Sequence, residues 1–178
     1  MAAFFHPRVD ARILAYVGGS MDVLVGPSPN RGIAAAMPSL VEVLDKQVAA
    51  GPMRECLHAG LWLLGDDLDA AHRICQDVET AHGAAWHAVV HRREGDFWNS
   101  KYWWRRAGGV RFEGLAEGIR AALPDGPAEV LACVRGGRYD GSSFVDIVER
   151  SHGDVTMREA LVTVQRMEWV ALFGECWR

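Results

Sequence analysis

Gly-Asp turns punctuate this chain between amphipathic runs, and that punctuation leaves room for little besides helical hairpins. Gly65-Asp66-Asp67-Leu68-Asp69-Ala70-Ala71-His72 aligns with Gly95-Asp96-Phe97-Trp98-Asn99-Ser100-Lys101-Tyr102 at an offset of thirty residues. In each copy an apolar helix ends at a glycine, which accepts the left-handed backbone of a helix end without steric cost. An aspartate then follows to accept from the unpaired N–H groups of the next helix. Gly137-Arg138-Tyr139-Asp140-Gly141-Ser142-Ser143-Phe144 is a looser third copy. Reuse of one helix–turn–helix unit predicts an all-α fold of packed helical hairpins. These are arranged either tetratricopeptide-like or as an irregular bundle that repeats a common turn.

Around these turns, helical periodicity predicts helices over 39–50, 53–64, 68–80, 86–94, 97–106, 112–123, 128–135, 143–150 and 155–176. Ser39-Leu40-Val41-Glu42 and Thr156 with Glu159 read as capping boxes, and Asp154 as the cap of the last helix. Gly51-Pro52 stops the first helix, and Gly83 reads as a break between the third and fourth. Asp66 or Asp67 caps the third. Residues 1–38 differ: Gly18-Gly19-Ser20 and Gly26-Pro27-Ser28-Pro29-Asn30-Arg31-Gly32 are loop chemistry, and 13–17 and 23–25 suit short strands or helix fragments. The expected organisation is a loop-rich N-terminal segment, 1–38, packed on a single helical domain, 39–178. The full length of 178 residues suits one domain with a full core.

Composition excludes some functions. A chain 49% hydrophobic and 24% charged is not disordered. A net charge of -4 argues against nucleic acid as a partner. No apolar run is long enough to span a membrane, and neither a dinucleotide-binding nor a P-loop glycine pattern is present. Cys56, Cys75, Cys133 and Cys176 form no C-x-x-C pair, and Met1 to Arg8 lacks a charged start leading into an apolar run. Free thiols in a reducing cytoplasm are expected. Cys75, on a helix near His72, becomes a nucleophile only if a base adjoins it.

Chemistry concentrates in 86–106. His87 and His91 are four apart, so one helix face carries both imidazoles, with Glu94 three further on nearly the same stripe. His72 and His58 come from the preceding helices. Two histidines at this spacing plus His72 or a carboxylate satisfy zinc or iron. A metal-free reading makes His87 or His91 a general base, oriented by Glu94 or Asp96. In that reading Tyr102 donates a proton, while Arg92, Arg93 and Lys101, with Arg105 and Arg106, hold an anionic small molecule. Asn99 and His58 would add substrate contacts. A third reading is recognition: Trp98, Tyr102, Trp103 and Trp104 interleave with basic residues, as on a surface that stacks bases or grips a peptide or protein partner, with the acidic net charge against the first. Against all three stands a non-catalytic helical-repeat scaffold in which the same histidines, arginines and carboxylates are structural. Seven tryptophans are many for this length, and their N–H groups need partners when buried.

The segment Trp86-His87 through His91-Arg92-Arg93-Glu94-Gly95-Asp96-Phe97-Trp98-Asn99-Ser100-Lys101-Tyr102-Trp103-Trp104-Arg105-Arg106-Ala107-Gly108 resembles a bacterial and fungal family. That family's pattern is W-H-x-x-x-H-R-R-E-x-D-F-x-N-A-K-Y-W-F-R-R-V-G. The likeness extends from about Leu57 to the C-terminus, through Leu57-His58-Ala59-Gly60-Leu61, Asp69-Ala70-Ala71-His72, Phe144-Val145-Asp146 and Gln165-Arg166-Met167-Glu168-Trp169. Ser100, Trp104 and Ala107 depart from the pattern, and Asp140-Gly141-Ser142-Ser143 stands in place of an Asp-Pro-Phe turn. The resemblance supplies residues and no reaction. It implies that His58, His72, His87, His91, Arg92, Arg93, Glu94, Asp96, Asn99, Lys101 and Tyr102 act as one unit.

Overall fold

The structure, a computed structural model, describes residues 9–26, 31–108 and 110–177, with only the backbone of Arg31 and Gly32. Among these the chain is mostly helical. In order come α1 (Ala11–Val17), α2 (Arg31–Gln47), α3 (Pro52–Leu64), α4 (Leu68–Cys75), α5 (Ala81–Glu94), α6 (Phe97–Arg106), α7 (Leu115–Ala122) and α8 (Ala128–Leu131). A two-stranded hairpin follows, β1 (Val134–Arg135) and β2 (Arg138–Tyr139), then α9 (Gly141–Ser151) and α10 (Arg158–Cys176). α3 packs on α4 and α5 on α6; α3 also meets α2, α5 and α10, while α9 lies on α6 and α7 on α10.

The Gly-Asp turns fold as local chemistry requires, one residue out of the register that the sequence alignment suggests. Asp67 caps α4 by accepting from Ala70 N at 2.9 Å, and Asp96 caps α6 by accepting from Asn99 N at 3.2 Å. The left-handed residue before the cap is Asp66 (φ 61°) in one turn and Gly95 (φ 83°) in the other. Asp140 caps α9, accepting from the backbone of Ser142 and Ser143.

Several boundaries differ from expectation. Gly83 does not break a helix; it lies in the first turn of α5, where Thr80 accepts from its N–H at 3.0 Å. Glycine is needed there because a Cβ would sit 2.2 Å from Val78 O. Ser39 lies inside α2, which begins at Arg31 and contains Pro38. The last helix begins at Arg158, and Asp154 instead holds a turn by accepting from Thr156 N. The expected helix 128–135 stops at Leu131. Gly136 and Gly137 both take positive φ, which suits a two-residue hairpin turn and pairs β1 with β2. The segment expected to be loop-rich carries α1, capped by Asp10, and the first turns of α2. The loop expected across Pro27–Asn30, like Met1 to Arg8, lies outside the described residues.

Two apolar cores hold these elements. The larger gathers α1 to α5 around Trp86, Trp169 and Phe173; the smaller joins α7 to α10 around Phe144, Ile119 and Leu161. Trp169 stacks on Phe173 at 4.4 Å between ring centroids and meets Trp86 edge-on. Its indole N–H donates to Gly60 O at 2.9 Å, which satisfies the buried donor. Each such fully buried apolar side chain stabilises the fold by about 1.5–3 kcal/mol. No helix among the described residues is long and apolar enough to cross a membrane.

Candidate metal centre

α5 sits in the middle of this packing, and every residue from Gly83 to Arg93 is buried. Yet that run contains His87, His91, Arg92 and Arg93. Burying polar groups without partners costs several kcal/mol each, and burying charge costs more, so each of these four needs an explanation.

The arginines have one. Arg92 forms a two-pronged pair with Glu168 of α10, whose Oε1 also accepts from Tyr139 Oη at 2.5 Å. The Arg92 guanidinium lies 4.7 Å over the Phe144 ring. Arg93 pairs with Asp66 and donates to Gly26 O at 3.1 Å, tying the α3–α4 turn and the N-terminal segment to α5. Both arginine side chains are 0% exposed.

The histidines meet one another instead. His72, near the end of α4, brings its Nε2 to 2.9 Å from His87 Nε2. The three ring centroids of His72, His87 and His91 are mutually 4.7–4.8 Å apart, and His87 and His91 stack nearly parallel. One candidate ligand atom from each ring falls within 4.8 Å of the others. Glu94 clamps the set: His72 Nδ1–H donates to its Oε1 at 2.8 Å, and its Oε2 lies 3.2 Å from His91 Nδ1, out of line for a good hydrogen bond. Asp96 stands 3.7 Å from the same nitrogen. Trp103 of α6 covers the other face of His87, with ring centroids 4.1 Å apart.

Electrostatics keep lone pairs available. With neutral rings, the bond to Glu94 puts the His72 proton on Nδ1, so His87 Nε2–H donates to His72 Nε2. Burial, with His91 and His72 close by, pushes His87 down to about 4, so its ring is neutral at pH 7. Burial raises the Glu94 carboxyl, but the imidazoles of His91 and His72 outweigh it and hold the group below its ordinary value. His87 Nδ1 and His91 Nδ1 are buried without a hydrogen-bond partner. They are not alone, since Trp86 Nε1, Arg92 Nε and Arg93 Nε also lack a partner, but two orphaned imidazole nitrogens side by side suit strain, function or a bound ion.

The remaining candidates lie elsewhere. His58 pairs with Asp45 at 2.9 Å, joining α3 to α2. Lys101 pairs with Asp146 at 2.9 Å and Glu149 at 3.1 Å, pinning α6 to α9. Asn99 donates to Asp96 Oδ2 at 2.6 Å within the α6 cap. Tyr102 is half-exposed between Trp98 and Trp103, one ring removed from His87, and accepts from Arg106. The structure therefore gathers His72, His87, His91, Glu94 and Asp96, and leaves His58, Arg92, Arg93, Asn99, Lys101 and Tyr102 outside the cluster. Sequence reasoning missed Trp103 as the lid on His87; its spacing behind Asp96 carried no sign of which face it takes. Ser100 donates to Ala88 O at 2.6 Å and so links α6 to α5. The thiol of Cys75 finds only His72 O, and burial pushes it well above its ordinary value, so it is no nucleophile.

No protein-family model, curated protein or solved structure matches the chain.

Proposed function

We propose that the protein is a metal-dependent enzyme of small-molecule chemistry, with zinc or iron held by His72, His87 and His91. The observation behind this is that three imidazoles each bring a nitrogen within 4.8 Å of the others, beside a carboxylate that already takes one ring's outer N–H. That carboxylate–histidine arrangement is how proteins fix the tautomer and orientation of a metal-binding ring. Tetrahedral zinc with bonds of about 2.0–2.1 Å separates its ligand nitrogens by about 3.3 Å. Around a metal the His72–His87 pair at 2.9 Å would open by a few tenths of an ångström, the proton between them moving to His87 Nδ1, and the wider separations, up to 4.8 Å, would close. Three protein ligands leave a fourth position for water or substrate, the pattern of a catalytic and not a structural zinc site. His72 and Glu94 give the approach, with side chains 28% and 26% exposed.

Anion binding by Arg92, Arg93 and Lys101 is not part of this reading, because all three already neutralise carboxylates. Glu94 orients His72, and Trp103 screens His87 from water. One observation favours a scaffold instead: the Glu94–His72–His87 chain is hydrogen-bonded without any ion.

Protein purified without an affinity tag, stripped with chelator and offered zinc or ferrous iron, separates the two. A metal centre takes up one ion per chain, and His72→Ala or His91→Ala abolishes uptake while the variants stay folded. Absence of stoichiometric uptake of either metal by the folded wild-type chain would leave the scaffold.

A further inference from the structure

We infer that the cleft between α2, α3 and the α3–α4 turn binds a small amphipathic amine, with its apolar body against α2 and α3 and its ammonium at the acidic rim beside Glu94. The cleft has a volume of about 890 Å³, within the range of small-molecule sites. Its apolar wall is Met37, Pro38, Val41, Trp62 and Leu68. Its polar groups are the carboxylates of Asp66, Asp67, Asp69 and Glu94, and no described residue lining it is cationic. Arg93 cancels Asp66. Asp67 caps α4, and Asp69 stands exposed one residue into that helix. A carboxylate ligand would meet like charge here, whereas an ammonium would meet opposite charge at the mouth of an apolar slot. Trp62 adds an aromatic face, which favours a cation or a hydrocarbon.

Glu94 gives the cleft its second meaning. The residue that holds His72 and faces His91 is also part of the cleft lining, so a bound ligand's polar end lies beside the histidine cluster. This inference goes beyond the metal reading and does not depend on it, since the cleft's shape and charge belong to the chain alone.

The test uses 3-phenylpropylamine, its carboxylate counterpart 3-phenylpropanoate and the neutral 3-phenylpropanol, titrated calorimetrically into chelator-stripped and zinc-treated full-length protein. The amine is expected to bind saturably in both forms, at least tenfold tighter than the carboxylate. Asp69→Asn should weaken it about threefold and Ala34→Trp, which fills the slot from the exposed side of α2, at least tenfold. Absence of saturable amine binding overturns the inference. So does a carboxylate that binds as tightly, or amine binding indifferent to Ala34→Trp. Amine binding by protein that takes up no zinc would sustain the cleft and remove only the metal.

Discussion

At the scale of single residues, the cluster is a matter of which atoms have partners. Glu94 accepts from His72 and faces His91, so its removal should loosen both rings without emptying the core. Glu94→Gln is expected to lower zinc affinity about 10–100-fold while the unfolding midpoint in urea shifts little; chelator-competition titration and urea unfolding read the two effects separately. Thiols give an independent check on burial. Burial, and then the charge of Glu168, push Cys133 up to about 12, and burial pushes Cys75 up also. Neither should react with iodoacetamide in the native protein at pH 8, and both should react on unfolding, as counted by mass spectrometry. Native-state alkylation of Cys133 would contradict the packing around α8 and α9.

At the scale of elements, α5 is the decisive helix, and its start depends on Thr80 and Gly83. Gly83→Ala should cost about 1–3 kcal/mol through collision with the Val78 backbone, and Thr80→Ala about 1 kcal/mol through loss of the cap; urea unfolding measures both. Much of this element was legible. His87, His91 and Glu94 share a stripe because a helix returns after three or four residues, and Asp96 announced the next cap. Arg92 and Arg93 follow His91 by one and two positions, about 100° and 200° around the axis. That rotation is in the sequence, and it excludes a common hollow for imidazoles and guanidinium groups. What was not legible is their partners: Glu168 and Asp66 lie 76 and 27 residues away, and only tertiary packing selects them. Gly83 was misread because a glycine needed for close approach looks the same in sequence as one that ends a helix. The β1–β2 hairpin hid behind apolar residues too few to show a period.

At the scale of the whole molecule, the buried pairs join what the chain separates. Arg92–Glu168, with Tyr139, bridges α5 to α10 and to the β hairpin. Arg92→Met should destabilise by about 3–5 kcal/mol because buried Glu168 loses its cationic partner and keeps only Tyr139, and adding Glu168→Gln should recover much of that loss; a double-mutant cycle in urea checks the coupling. If Arg92→Met alone were neutral, the core described around α10 would be wrong. These ties anchor α5 to α10 and the hairpin, and the proposed centre rests on α5 bringing His87 and His91 to within ligand reach of His72 of α4. The most direct measurement of that claim is X-ray absorption spectroscopy of the zinc-loaded protein. A three-histidine centre gives a first shell with three imidazole nitrogens at about 2.0–2.1 Å and a light-atom fourth ligand, reduced to a weaker, disordered shell in His87→Ala. A sulfur shell near 2.3 Å, or a spectrum unchanged by His87→Ala, would contradict it.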